Sequence, residues 1–194
     1  MKVWGLTGGV GMGKSTAADT LSARGVPVVD TDDLARQLVQ PGEPALAEIQ
    51  NLFGRDIVAP DGRLRRDELA KVVFTDAAAR QKLEAILHPR IGQAWLAQIE
   101  VWRKAGHNLA VVVIPLLFET HAESHFDKVV CVACSSAAQQ ERLVARGWDG
   151  EQIRHRLAAQ LPVDQKIARS QFVIWTEGLL KVQQCQIEKI LERL

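Results

Sequence analysis

The sequence predicts an α/β fold: a doubly wound parallel sheet of about five strands, with a helical insertion and a helical lid. Short apolar runs of strand length alternate along the chain with segments of helical pattern, the order from which such sheets are built. Several of these runs are almost continuously apolar, which is typical of parallel strands covered on both faces. In this fold class ligands bind beyond the carboxyl ends of the strands, and a glycine-rich turn follows the first predicted strand.

The composition limits both the size of the fold and its partners. The 194 residues suit one domain, residues 1–194, and the 47% of apolar residues are enough for a sizeable core. The formal net charge is only +1, so no nucleic-acid partner is expected. The sequence has no apolar run long enough to span a bilayer, and its N-terminus does not resemble a signal peptide. A cytoplasmic protein without a membrane partner is therefore expected.

Five strands and the helices between them are predicted from the apolar pattern. A helix is expected over Ala17–Ala23, after the glycine-rich turn, and another is expected to begin near Asp33. Cys131 and Cys134 are spaced as C-x-x-C, but they fall in a run that predicts a buried strand and are interpreted as core residues. Cys185, in a helical pattern, is interpreted in the same way. The predicted strands are Lys2–Leu6, Val26–Val29, Leu109–Ile114, Lys128–Ala133 and Phe172–Trp175.

The segment from Gly8 to Ser15 carries the strongest functional signal. It matches G-x-x-x-x-G-K-[ST] and lies between a predicted strand and a predicted helix, as a phosphate-binding loop (P-loop) does. Its glycines allow backbone N–H groups to face a polyphosphate, and the helix start adds partial positive charge. Lys14 is predicted to reach the β- and γ-phosphates, and Ser15 to hold the Mg2+ that bridges them. The predicted nucleotide-binding residues of this loop are Gly8, Gly9, Gly11, Met12, Gly13, Lys14, Ser15 and Thr16.

Two helical segments are predicted to complete the site. Residues 44–104 contain no convincing strand and are interpreted as helices inserted into the fold, suited to holding a second substrate. Residues 137–169 are helical in pattern and rich in arginine, which suits a lid that closes on phosphates. A solvated helix face is the alternative interpretation of these arginines.

The class of P-loop protein is narrowed by the ends of two other strands. The third predicted strand ends in Pro115 without an acidic residue, unlike a motor ATPase, and no N-K-x-D sequence indicates a guanine-reading switch. The second strand ends in Asp30 and Asp32, and one of these carboxylates can accept the proton of an acceptor hydroxyl, as a kinase needs. Helix capping is the alternative role for both.

The chain resembles the dephospho-CoA kinase family over nearly its whole length. Its P-loop is shared with many kinases, but three further motifs together are specific to that family: Asp30-Thr31-Asp32, Leu87-His88-Pro89 and Pro115-Leu116-Leu117-Phe118-Glu119. Other segments resemble the family as well: Asp61-Gly62-x-Leu64-x-Arg66, Gln140-x-Arg142-x-x-x-Arg146-Gly147, and Ala159-Gln160 followed by Lys166.

The resemblance implies that ATP phosphorylates the ribose 3′-hydroxyl of dephospho-CoA, giving CoA and ADP. It assigns Asp32 as the base, with Lys14 and Arg146 as the other catalytic residues and Arg142 near the nucleotide phosphates. The residues that it places on the acceptor side are Asp32, Arg66, His88, Pro115, Leu116 and Glu119. Another small-molecule kinase of the same fold, or a nucleotide-dependent regulatory switch, is the alternative function.

Two features stand apart from this assignment. The family's usual Asp and Asn before the last helix are replaced by Gln171 and Thr176, near where the nucleotide base is expected. His88 has an alternative interpretation, a buried histidine that ends a helix before Pro89.

Overall fold

The computed structural model describes residues 1–193, apart from the side chain of Phe74, so the last residue of the predicted 1–194 domain lies outside the described residues. The chain divides into two compact units. One, called the sheet unit, comprises residues 1–29 and 101–194, and the other, called the helical unit, comprises residues 30–100. The boundary of the helical unit thus lies before the predicted insertion of residues 44–104.

Five strands form one sheet, and the pairs whose register is defined are parallel. The strands are β1 (Lys2–Gly8), β2 (Val28–Asp30), β3 (Leu109–Val113), β4 (Lys128–Ala133) and β5 (Phe172–Trp175). Their order is β2-β3-β1-β4-β5, so the chain places β3 on one side of β1 and β4 on the other. Strand order therefore reverses next to the carboxyl end of β1, where such sheets form a ligand crevice.

Burial explains why the apolar runs form the sheet. All five residues of β3 are buried, as are five of the six residues of β4, because helices cover the sheet. The core of the sheet unit includes Trp4 and Leu6 of β1, Ala17 of the following helix and Ile187 near the C-terminus. The predicted α/β fold with about five parallel strands is confirmed.

Nine α-helices surround the strands or form the helical unit within residues 1–193. They are α1 (Lys14–Ser22), α2 (Thr31–Leu38), α3 (Pro44–Phe53), α4 (Arg66–Thr75), α5 (Ala77–Lys104), α6 (Ser136–Ala145), α7 (Gly150–Ala158), α8 (Val163–Ala168) and α9 (Leu180–Leu191). The helical unit has its own core, formed by Val39, Ile49, Ile57 and Leu69. No helix of the described chain is long and apolar enough to cross a membrane.

Several sequence-based boundaries were wrong. Helix α1 begins at Lys14 instead of Ala17, since the end of the P-loop already has helical geometry, and α2 begins at Thr31 instead of near Asp33. Helix α5 continues through Pro89, so His88 does not end a helix. Proline is tolerated inside a long helix when neighbouring packing compensates for the lost hydrogen bond.

The three cysteines are only partly core residues. Cys131 and Cys134 are buried as predicted, whereas Cys185 is exposed on α9. The prediction for Cys185 was wrong because a helical pattern does not reveal which face is covered. Burial raises the pKa of Cys131 to about 11, so its thiol stays protonated and unreactive at neutral pH.

Candidate phosphate-binding site and acceptor residues

The P-loop connects the buried end of β1 to the first turn of α1. Its conformation requires glycine at defined positions, because Gly11 and Gly13 have φ values of 75° and 93°. At Gly8 a Cβ atom would lie 2.2 Å from the backbone oxygen of Val132, so no other residue fits there. The glycines of the motif thus let the loop turn sharply while it packs against β4.

The start of α1 has the properties of an anion site. The N–H groups of Ser15 and Thr16 lie in the first turn, where no intrahelical carbonyl is available to them, and both residues are exposed. The helix has no acidic residue in its first turn, so nothing there offsets its positive end. Lys14 Nζ donates to the carbonyl oxygens of Gly8 and Gly9, each at 2.9 Å, which places the ammonium group along the loop.

Thr176 supports the P-loop from the segment that follows β5. Its hydroxyl donates to the carbonyl of Met12 at 2.8 Å and accepts from Arg142 Nη1 at 2.8 Å. Arg142 Nη2 also donates to the Thr176 carbonyl at 2.6 Å. The residue that departs from the family pattern therefore contacts the P-loop itself. Sequence reasoning did not find this contact, since no local pattern connects residues 12 and 176.

A buried ion pair joins the segment after β3 to α8. The Lys166 side chain is completely buried, and its Nζ lies 2.8 Å from Glu119 Oε1 and 2.7 Å from the Pro115 carbonyl, to which it donates. Glu119 Oε1 also accepts from the Leu161 N–H at 2.7 Å. The same glutamate has a second buried oxygen, Oε2, with no hydrogen-bond partner among the described residues. Two predicted acceptor residues, Pro115 and Glu119, are thus held together by Lys166.

The helical unit places two other predicted acceptor residues around one cavity. Asp32 and Arg66 both line a cavity of about 280 Å3 whose remaining lining is largely apolar. The apolar part includes Ile49 and Leu69 of the core of the helical unit. Arg36, which also lines the cavity, forms an ion pair with Asp33. A small apolar cavity with a carboxylate and a guanidinium at its edge suits an organic acceptor that carries phosphate groups.

Asp30 and Asp32 have different local roles. Asp30 is the N-cap of α2, and its carboxylate accepts from the Asp32 N–H at 2.8 Å. Its capping role, one of the two interpretations drawn from the sequence, is therefore present in the structure. Asp32 lies in the first turn of α2 with its side chain exposed.

Two other predicted site residues, His88 and Arg146, are exposed, whereas Leu116 is half-buried. His88 lies on the surface of α5, which rules out the alternative of a buried histidine, and it is not among the residues that line the cavity of the helical unit. Arg146 is the C-cap of α6 and is also exposed. Their roles toward substrates stay predictions.

Comparison with known proteins assigns the chain to one family. A family model described as dephospho-CoA kinase matches residues 2–181. A curated dephospho-CoA kinase of Anaeromyxobacter dehalogenans is 49% identical over 92% of this chain and 85% of the relative. Another, of Syntrophotalea carbinolica, is 40% identical over 100% of this chain and 92% of the relative.

Solved structures agree with this fold. The crystal structure of TT1252 from Thermus thermophilus has a TM-score of 0.85 and 32% identity, covering 100% of this chain and 97% of that one. A dephospho-CoA kinase from Campylobacter jejuni has a TM-score of 0.68 and covers 99% of this chain and 96% of that one, at 20% identity, which supports the fold alone. Given the family model and the curated relatives, this chain belongs to the dephospho-CoA kinase family.

Proposed function

We propose that this chain transfers the γ-phosphoryl group of ATP to the ribose 3′-hydroxyl of dephospho-CoA, which yields CoA and ADP. Family membership supports the substrate, because curated relatives that share up to 49% of aligned residues are dephospho-CoA kinases. The P-loop is the observation that carries the chemistry. Lys14 and the first turn of α1 form a site whose charge and N–H groups suit a triphosphate.

The nucleotide side of the reaction is assigned to the P-loop and α6. The N–H groups of the loop bind the phosphate oxygens, and Lys14 follows the γ-phosphate as its charge redistributes in the transition state. Arg142 and Arg146 are assigned to the phosphates as well. The hydrogen bonds that Arg142 donates to the hydroxyl and carbonyl of Thr176 favour a role in supporting the loop, whereas exposed Arg146 is available to a substrate.

The residues of the P-loop fit a magnesium ion that enters with ATP. Mg2+ usually retains several waters and takes phosphate oxygens with only one or two protein oxygens. The exposed Ser15 hydroxyl at the start of α1 would supply one such oxygen. Among residues 1–193, no group of three or more His, Cys, Asp or Glu side chains forms a metal cage, which agrees with an ion held mainly by nucleotide. When bound, Mg2+ neutralises charge on the β- and γ-phosphates.

The acceptor side is assigned to Asp32, Arg66, His88 and the segment after β3. The Asp32 carboxylate accepts the proton of the 3′-hydroxyl as that oxygen bonds to the γ-phosphorus. The bond from the γ-phosphorus to the β–γ bridging oxygen breaks, and ADP leaves with the electron pair. Arg66, at the same cavity as Asp32, suits a phosphate group of the acceptor. Pro115, Leu116 and Glu119 are assigned to its other contacts.

Acceptor selectivity tests the proposal most directly. A helical unit of 71 residues, 30–100, is larger than a connection needs, and we expect it to recognise the pantetheine arm of dephospho-CoA. AMP and adenosine present a similar ribose without that arm. Their kcat/KM should be lower by at least ~10²-fold, equivalent to about 2.7 kcal/mol of lost transition-state binding. The measurement is coupled ADP release at matched concentrations of the three acceptors.

A variant of the P-loop provides the control for this assay. Lys14→Ala should lower kcat by on the order of 10²–10³, because it removes one charged contact to the transition state. Its circular dichroism and melting temperature should stay close to those of the parent chain. Equal use of AMP and dephospho-CoA would favour a less specific kinase, and full activity of a folded Lys14→Ala protein would contradict the P-loop chemistry.

A further inference from the structure

One residue of the P-loop, Val10, forms hydrogen bonds with glutamine side chains through both its N–H and its carbonyl group. Its N–H donates to Gln160 Oε1 at 3.0 Å, and its carbonyl accepts from Gln139 Nε2 at 2.7 Å. A backbone N–H only donates and a carbonyl only accepts, so these contacts fix the orientation of both side-chain amides. Gln139 and Gln160, called the glutamine pair below, therefore hold the two peptide groups that flank Val10.

The loop is shaped to admit the first of these side chains. Gln139 is only 7% exposed, and a Cβ atom at Gly9 would lie 3.1 Å from its Nε2. Glycine at position 9 thus leaves room for the amide to reach Val10. Gln139 lies on α6 and Gln160 follows the end of α7, so the contacts come from both ends of the α6–α7 region.

The contact to the Val10 carbonyl also determines where the next N–H points. The Val10 carbonyl and the Gly11 N–H belong to one planar trans peptide and point in opposite directions. Because Gln139 bonds the carbonyl, the Gly11 N–H is directed away from that side chain. The contact of Gln160 with the Val10 N–H fixes the preceding peptide in the same way. Both peptides lie in the stretch that the motif assigns to phosphate binding.

We infer that the glutamine pair are positioning residues for ATP: they hold the peptides around Val10 in the orientation that presents the loop to the phosphates. The inference rests on the proposed function, since it presumes that the loop binds ATP. Donors that are already oriented bind an anion without reorganisation. Without the pair, ATP itself must order the loop, and that conformational cost lowers its affinity.

Neutral substitutions of similar length test the inference. Gln139→Met and Gln160→Met keep the side-chain volume but remove the donor and the acceptor, respectively. Each should raise the Kd for ATP, measured by isothermal titration calorimetry, by about fivefold to tenfold. Gln165→Met changes an exposed glutamine on α8 and serves as the matched control, which should stay within twofold of the parent chain.

Steady-state kinetics separate positioning from a general structural role. The KM for ATP should rise in both glutamine-pair variants, while the KM for dephospho-CoA stays unchanged. Partial unfolding would instead reduce the active fraction, lowering kcat with both KM values intact. Unchanged Kd and KM for ATP in folded variants would overturn the inference but not the proposed function, which depends on whether the parent chain binds ATP and turns over.

Charged substitutions at residue 160 distinguish hydrogen bonding from simple electrostatics. Gln160→Glu keeps an oxygen that accepts from the Val10 N–H, whereas Gln160→Lys supplies only donors. A hydrogen-bonding role therefore predicts tighter ATP binding by Gln160→Glu than by Gln160→Lys. Attraction between ATP phosphates and positive charge predicts the reverse order. If Gln160→Lys binds ATP more tightly, the acceptor at residue 160 does not position the loop.

Discussion

The P-loop and the first turn of α2 are held by contacts of different range. Three loop contacts come from Gln139, Gln160 and Thr176, which lie 129, 150 and 164 residues from the groups that they bond. In the helical unit, the contact between Asp30 and the Asp32 N–H joins residues two apart, and the ion pair of Arg36 with Asp33 joins residues three apart. The loop is thus supported from distant segments, whereas the first turns of α2 are fixed locally.

This difference shows what a sequence motif specifies and what it does not. A motif such as Gly8–Ser15 specifies the local turn of a loop, but not the side chains that keep it in place. Distant supports should therefore affect ATP, whereas substitutions in the first turn of α2 should affect the acceptor and the chemical step. The substitutions of Asp32 and Thr176 below test that division, and the ion-pair variants compare the two units by burial.

The largest expected effect belongs to Asp32 in the helical unit. Asp32→Asn keeps the size of the side chain but removes its ability to take a proton at neutral pH. If Asp32 is the base, kcat should fall by about 10²–10⁴ while the Kd for ATP changes little. Initial-rate assays of ADP release measure kcat, and calorimetric titration with ATP measures the Kd.

Asp30→Asn is the matched control for this substitution. Asparagine is as good an N-cap as aspartate, so the cap of α2 and the stability of the protein should persist. Its kcat should remain near that of the parent chain. A crippled Asp30→Asn protein beside an active Asp32→Asn protein would reverse the roles assigned to the two carboxylates.

The next effect concerns ion pairs, one in each unit. Lys166 is fully buried against Glu119, whereas the Arg90–Glu48 pair of the helical unit has side chains 31% and 50% exposed. Removing one partner of a buried pair leaves the other charge poorly solvated, so Lys166→Met should lower the free energy of unfolding by about 3–5 kcal/mol. Arg90→Met should lower it by about 1 kcal/mol or less, because an exposed pair is screened by water.

Urea denaturation of both variants measures this contrast. The double variant Lys166→Met/Glu119→Gln is expected to recover part of the lost stability, because it no longer leaves an unpaired buried carboxylate. Equal losses for Lys166→Met and Arg90→Met would show that burial does not distinguish the two pairs.

The sequence predicted the sheet better than it predicted the site. Strands such as Lys128–Ala133 were predicted with the observed bounds, because a run buried on both faces is visible in composition alone. Helix ends were predicted less well. Helix α1 begins at Lys14 instead of Ala17, and α5 continues through Pro89, where the alternative interpretation of His88 placed a helix end.

Within the site, the sequence could identify residues but not their partners. Lys14 follows from a motif, whereas Gln139 belongs to no motif and became visible only when α6 packed beside the loop. Thr176 was noted as a departure near the expected nucleotide base, and its contact with the Met12 carbonyl was not foreseen. Hydrogen bonds between residues more than a hundred positions apart leave no local signal in a single sequence.

The smallest expected effect concerns this distant support at Thr176. Thr176→Val keeps the shape but removes the hydroxyl, so the Met12 carbonyl loses a donor and Arg142 Nη1 loses an acceptor. The free energy of unfolding should fall by about 1–2 kcal/mol, the usual cost of unsatisfied groups in a partly buried site. Because the affected carbonyl belongs to the P-loop, the KM for ATP should rise about threefold to tenfold while the KM for dephospho-CoA stays constant.

Thr176→Ser retains the hydroxyl and should behave like the parent chain in urea denaturation and in kinetics. If Thr176→Val raises the KM for dephospho-CoA as much as that for ATP, the support does not act on the nucleotide alone, and the division between distant and local contacts fails at this position.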